Sequence, residues 1–143
     1  MADSVDLTIR KVVHVDAGVE RAFDVFTRGM AGWWPVKTHS LAEGDLSIDW
    51  QVGGIAVESA GEVRHEWFDV VELDPPHAVA LRWRVNPESP PTEIRVTFTA
   101  EDAGTRVELV HSGWEAYGDA GRETSRNYDD GWGTVLGSYT PAV

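Results

Sequence analysis

The stretch GDAGRETSRNYDDGWGTVLGSYT (118–140) decides the fold. Tyr128, Trp132, Val135, Leu136 and Tyr139 recur at i, i+4, i+7, i+8 and i+11, which gives a helix one strongly apolar face. Gly131, Gly133 and Gly137 fall inside it, each costing about 1 kcal/mol relative to alanine, and close approach to a neighbouring sheet is the expected reason. An amphipathic helix of this length needs an apolar surface to lie on.

Upstream, that surface reads as a sheet. HAVALRWRV (77–85) sets Val79, Leu81, Trp83 and Val85 on one face and Ala80, Arg82 and Arg84 on the other. TEIRVTFTA (92–100) alternates Ile94, Val96 and Phe98, and Asp102-Ala103-Gly104 turns it into TRVELVHSGW (105–114), a hairpin. SIDWQV (47–52), IAVES (55–59) and EVRHEWFDVVEL (62–73) are short extended runs separated by glycine turns at Gly53–Gly54 and Gly61. At the front, LTIRKVVHV (7–15) is a β-branched strand. Val19, Ala22, Phe23 and Phe26 then give an amphipathic helix with Asp16 placed to cap it. GMAGWWP (29–35) ends that helix and predicts a second, bent one, because Pro35 disfavours helix at Trp34.

The order is strand, two short helices, a run of strands, then a long helix, which points to an α+β fold rather than alternating βα units. A curved antiparallel sheet of about six to seven strands wrapping the C-terminal helix is expected, as a single domain over residues 1–143.

Composition narrows the function. With 12 Lys and Arg against 24 Asp and Glu the formal charge is −12, a field that repels phosphate backbones and argues against nucleic acid. No apolar run is long enough to span a bilayer, and MADSVDLTIR lacks the order of a signal peptide, so membrane insertion is not expected and the cytoplasm is the expected location. The absence of cysteine removes disulfides, thiolate nucleophiles and thiolate metal sites. There is no G-x-S-x-G elbow and no phosphate loop, and the histidine spacing matches no metal motif, so neither a metal nor another cofactor is expected.

The segments VHVDAGVERAFDVFT (13–27), GWWP (32–35), VGG (52–54), Glu58, VELDPPHAVALRW (71–83), GTRVELVHSGW (104–114) and Gly131-Trp132, Val135-Leu136 and Tyr139, in that order, resemble the SRPBCC superfamily. This is the START-like or helix-grip superfamily, and the closest resemblance is to the branch named for the activator of heat-shock protein 90 ATPase. It implies the helix-grip fold and a cavity between sheet and C-terminal helix. The superfamily includes lipid and hormone binders, polyketide cyclases and co-chaperone-like domains, so the fold leaves the function open. The N-terminal co-chaperone domain of the eukaryotic activators has no counterpart in this pattern, and chaperone stimulation is not carried over.

The seven tryptophans, at 33, 34, 50, 67, 83, 114 and 132, are large rigid apolar faces with one N–H donor each, suited to core or to a pocket for flat ligands. Trp83 and Trp132 are expected to face the interior, with Trp33 and Trp34 at the mouth on a segment able to act as a lid. His39, His65 and His111 are the groups able to act as acid, base or ligand, or to serve as hydrogen-bonded structural histidines. Parity places His111 with Val107 and Leu109 on the inner face and His65 with Val63 and Trp67, unless a bulge intervenes. Glu58 matches a carboxylate position of the family branch and would orient or protonate a ligand if it faces the cavity, whereas Arg82 and Arg84 belong to the surface. The expected cavity residues are therefore Trp33, Trp34, Trp50, Glu58, His65, Trp67, Trp83, His111 and Trp132.

Three functions compete. The first is binding of a small apolar or aromatic molecule, which is favoured over catalysis. The second is a cyclase or hydrolase using Glu58 and His111 as acid and base. The third is a co-chaperone-like interaction domain working through the acidic surface or an exposed Trp33–Trp34 patch. Monomer and dimer both stay open.

Overall fold

The computed structural model describes residues 7–143; residues 1–6, part of the start read for a signal peptide, lie outside the described residues. Strand β1 (Ile9–Val15) is followed by helices α1 (Val19–Phe26) and α2 (Met30–Trp33). Six strands follow: β2 (Asp45–Ile48), β3 (Ile55–Ala60), β4 (Val63–Asp74), β5 (Ala78–Trp83), β6 (Thr92–Glu101) and β7 (Gly104–Ser112). A 3-10 segment (Trp114–Ala120) leads into α3 (Gly121–Tyr139). All neighbours pair antiparallel in one curled sheet of order β1-β7-β6-β5-β4-β3-β2, with α3 laid across its concave face. This is the α+β helix-grip architecture expected from the element order.

The alternation in β5 and β6 does what the sequence requires. Val79, Leu81 and Trp83 are buried, as are Ile94, Val96 and Phe98, while Arg82 and Arg95 reach outward to Asp69 and Glu72. Arg84 also stays at the surface, gripping Asp69 and Glu66 at 2.7 Å each. Helix α1 buries Ala22, Phe23 and Phe26 as its spacing predicts. Its N-cap, however, is Gly18, and Asp16 makes no cap: two residues before the cap its carboxylate cannot reach the first-turn amides and instead lies 3.5 Å from His14 Nε2.

Strand β4 carries two bulges. Phe68 pairs with Ala56 and Glu66 with Val57, which leaves Trp67 as an extra residue. Trp67 and Phe68 are consequently both buried, 2% and 0% exposed, although they are adjacent. The second bulge, at Val71, turns Val71 and Glu72 both outward.

Helix α3 buries Trp132, Val135, Leu136 and Tyr139. Tyr139 Oη donates to the Ala22 carbonyl at 2.8 Å and Ser125 Oγ to Leu7 at 2.7 Å, tying the helix to both ends of the β1–α1 unit. Close approach to the sheet does not account for the α3 glycines. A Cβ at Gly133 or Gly137 would meet nothing within 4 Å, and one at Gly131 would meet only the His39 ring, at 3.6 Å. Nothing in the structure explains Gly133 and Gly137.

Candidate functional site

Between α3 and the sheet lies a cavity of about 270 Å³. Trp34, just past α2, Trp67 on β4, Trp83 on β5 and Trp132 on α3 line it, together with Tyr128, Asn127, Gly131 and Val135 of α3, Val85, and His39, Ser40 and Leu41 of the loop that leads into β2. The Trp34 ring lies 5.2 Å from Trp67, 6.3 Å from Trp83 and 5.9 Å from Trp132. A larger hollow of about 500 Å³ runs along β2 and β3, but its walls mix Ile48, Ile55 and Val57 with Ser47, Asp49, Ser59, Arg64 and Glu66 and bring no aromatic ring to it, a setting that holds a flat apolar molecule less well.

Local sequence explains how the four rings meet. Pro35 ends α2 and leaves Trp34 extended. The bulge at Trp67 turns that ring inward beside Phe68. Trp83 ends β5 on its inner parity, and Trp132 lies one turn beyond Tyr128 on α3. Trp83 Nε1 donates to Tyr128 Oη at 3.1 Å. Burial raises the Tyr128 pKa, partly offset by that bond, so the phenol stays protonated. Among the described residues, Trp67 Nε1 is the buried side-chain donor with no hydrogen-bond partner.

The other expected cavity residues are elsewhere. Trp33 is core: its N–H donates to the Val25 carbonyl at 2.7 Å and its ring packs on Phe26 and Tyr139. With Trp33 and Trp34 both 7% exposed, there is no exposed tryptophan patch for a protein partner here. Trp50 follows the end of β2, rests on Phe68 at 5.8 Å and lines a separate groove beside Pro75 and Pro76. His65 faces Glu58 across the β3–β4 ladder, half-buried, and does not reach the cavity wall.

Glu58 is fully buried and points inward, yet it serves the loop rather than the cavity. Its Oε1 accepts the Leu41 N–H at 3.0 Å, and its Oε2 accepts those of Ala42 at 3.1 Å and Gly44 at 2.7 Å. Burial alone would raise its pKa, but hydrogen bonding from the Gly44 and Leu41 N–H groups, the Ser40 side chain and the Ala42 N–H outweighs it and the net shift is downward. Glycine is required at 44, because a Cβ there would lie 2.3 Å from the Ser59 carbonyl oxygen. Glu58 is thus an ionised clamp for the loop carrying His39, Ser40 and Leu41.

His111 faces inward as its parity predicts, but it is sealed below the cavity floor. Trp132 Nε1 donates to its Nδ1 at 3.0 Å, so the ring proton sits on Nε2, 2.7 Å from Thr92 Oγ1. Burial lowers its pKa to about 3 and keeps it neutral. It fixes the Trp132 ring and has no nitrogen left for a substrate. Glu58 and His111 therefore do not form an acid–base pair across the cavity.

His39, Ser40, Leu41, Val85, Asn127, Tyr128, Gly131 and Val135 complete the wall and are not among the expected cavity residues, although His39 is one of the three candidate histidines. The signal for the α3 members was helical spacing, since 128, 131, 132 and 135 share a face with Trp132. Among the described residues no three His, Asp or Glu side chains come together as a metal site, and no helix is long and apolar enough to cross a membrane.

The profile of the family described as Activator of Hsp90 ATPase homolog 1-like protein matches residues 16–138. Among solved structures, Txn09, an anthrahydroquino-gamma-pyrone synthase complexed with SUM, is 31% identical over 100% of both chains, with a TM-score of 0.61. The Aha1 dimer of Colwellia psychrerythraea superposes with a TM-score of 0.71, at 20% identity over 94% of each chain. DynU16, from the dynemicin biosynthetic locus, gives 0.70 at 21% identity over 96% of this chain, which spans 47% of DynU16's length. These last two show the fold alone. No curated protein matches the sequence. With a family profile spanning most of its length and a full-length relative above 30% identity, the chain belongs to the Activator of Hsp90 ATPase homolog 1-like family of the SRPBCC superfamily.

Proposed function

We propose that the chain binds a small, flat aromatic molecule in the cavity between α3 and the sheet. One observation carries this reading: four indole rings from four separate elements converge around space they do not fill. Rings held this way present rigid apolar faces to a planar guest and lose little conformational entropy on binding it. A volume of about 270 Å³ lies just below the usual span of ligand sites, about 300 to 1,000 Å³, so a compact guest fits better than a long lipid. Isothermal titration calorimetry with naphthalene- and anthraquinone-class compounds, against a straight-chain fatty acid, tests it. Saturable heat with a negative heat-capacity change is expected for the aromatics. Absence of binding by every aromatic tried would overturn the reading.

A second reading is favoured by the 31% identity to Txn09: ring closure on an aromatic substrate in the same cavity. Because Glu58 and His111 are committed to internal bonds, such chemistry would have to use the cavity-lining polar groups. Incubation with the substrate of Txn09, followed by mass spectrometry, distinguishes turnover from simple binding.

A further inference from the structure

We propose that His39 is the polar anchor of the bound molecule and that the cavity selects aromatic ligands carrying a hydroxyl group. The inference rests on the aromatic-binding reading and specifies its ligand class.

The argument starts from the backbone. His39 N–H donates to the Pro35 carbonyl at 2.8 Å, and the His39 carbonyl accepts Trp34 Nε1 at 2.7 Å. Just beyond it, the amides of Leu41, Ala42 and Gly44 are clamped on Glu58. The residue is therefore held from both sides by bonds that do not use its ring, and the Trp34 that lines the cavity is one of the holders.

The ring is oriented too. Its Nδ1 lies 2.7 Å from Thr38 Oγ1, and that hydroxyl lies 3.4 Å from the Pro35 carbonyl oxygen. We assign the imidazole proton to Nδ1, the arrangement in which Oγ1 accepts from the ring and its own proton turns to the Pro35 carbonyl, so that both contacts are made. Nε2 then carries a lone pair and has no partner among the described residues. The Cδ2–Nε2 edge faces Gly131 of α3, 3.6 and 3.8 Å from where a Cβ would stand, and both residues belong to the cavity wall. A fixed acceptor at the edge of an indole-lined slot matches a phenol: the ring enters among the tryptophans and the O–H donates to Nε2.

The test uses ligands of one shape and different hydrogen bonding. 2-Naphthol, 2-methoxynaphthalene, which cannot donate, and 2-acetylnaphthalene, which only accepts, are titrated calorimetrically into the wild type, His39→Phe and Thr38→Val. The wild type should prefer naphthol over the methoxy compound by about two- to tenfold, the worth of one net hydrogen bond. His39→Phe should abolish that preference, read as the ratio of the two affinities so that any change the new ring makes to the cavity itself cancels, and its fold is spared because the bonds holding residue 39 are to its backbone. Thr38→Val, at an exposed site, should reduce the preference by freeing the tautomer. A preference that survives His39→Phe, or stronger binding of the acetyl compound than of naphthol by the wild type, overturns the assignment while the aromatic reading stands. If no naphthalene binds the wild type, both fall.

Discussion

Toward the end of α3 that meets α1, Phe23, Phe26, Phe98, Trp33 and Tyr139 interlock with ring centroids 5.1 to 5.7 Å apart. At the other end Trp34, Trp67, Trp83 and Trp132 stand 5.2 to 6.3 Å apart, hardly more loosely, and yet leave about 270 Å³ empty. The material is the same; the cover differs. The first end is closed by α1 and α2, whose own rings enter the gaps. The second is closed by the 35–44 loop, whose hold on the body runs through backbone N–H groups to Glu58 and through Trp34 Nε1 to the His39 carbonyl. A cover fastened by its backbone need not fill the space beneath it. Donor satisfaction is nearly complete at both ends: Trp33 Nε1 and Tyr139 Oη have partners at the packed end, and Trp34, Trp83 and Trp132 Nε1 have them at the hollow end, where Trp67 Nε1 lacks one.

Acid should break the comparison most strongly, from below the hollow end. The folded-state pKa of His111 is depressed, from an unfolded value near 6.5 to about 3, so its contribution is complete above the unfolded value and is lost as pH falls between them. At roughly 1.4 kcal/mol per unit the limiting loss is about 5 kcal/mol. Urea unfolding of the wild type should show stability falling from about pH 6.5 downward, and His111→Gln should flatten that slope.

Truncating the packed end comes next. Phe26→Ala opens a void among Trp33, Phe98 and Tyr139 and should cost about 3–5 kcal/mol, read as a shift in denaturation midpoint. Glu58→Gln attacks the loop instead. Replacing an ionised acceptor of three N–H groups should cost about 2 kcal/mol and raise amide exchange at Leu41, Ala42 and Gly44. Because the folded carboxyl sits below its ordinary value of 4.5, that difference from wild type should shrink as pH falls through and below about 4.5.

The smallest effect has the opposite sign. Gly133→Ala and Gly137→Ala, on the exposed side of α3, should each stabilise by about 1 kcal/mol in thermal unfolding, because an added methyl meets nothing there. A loss of stability at either position would reveal a packing demand on that face.

The frame of the molecule was legible because periodicity records it directly: 79, 81 and 83 for a strand, 128, 132, 135 and 139 for a helix. The walls of the cavity were legible only in part. Trp83 and Trp132 follow from parity. Trp33 and Trp34 are neighbours with opposite fates, and only the end of α2 between them separates core from cavity. Strict alternation accounts for Trp67 but not for Phe68 beside it, because a bulge carries no mark in one sequence. The roles of Glu58 and His39 were the least accessible. Glu58 acts through long-range hydrogen bonds to an irregular loop and His39 stands on that loop, and no repeat in the sequence encodes where such a loop returns.

The tryptophan cluster also has an optical consequence. Trp33, Trp34, Trp67, Trp83 and Trp132, five of the seven in the chain, form a continuous chain of rings with neighbours 5.2 to 6.3 Å apart. At such spacing their excited states mix and excitation migrates among them faster than any one of them emits. The cluster should behave as a single chromophore, with an exciton couplet in circular dichroism and strongly depolarised emission. One guest molecule between the rings would then extinguish the light of most of the protein.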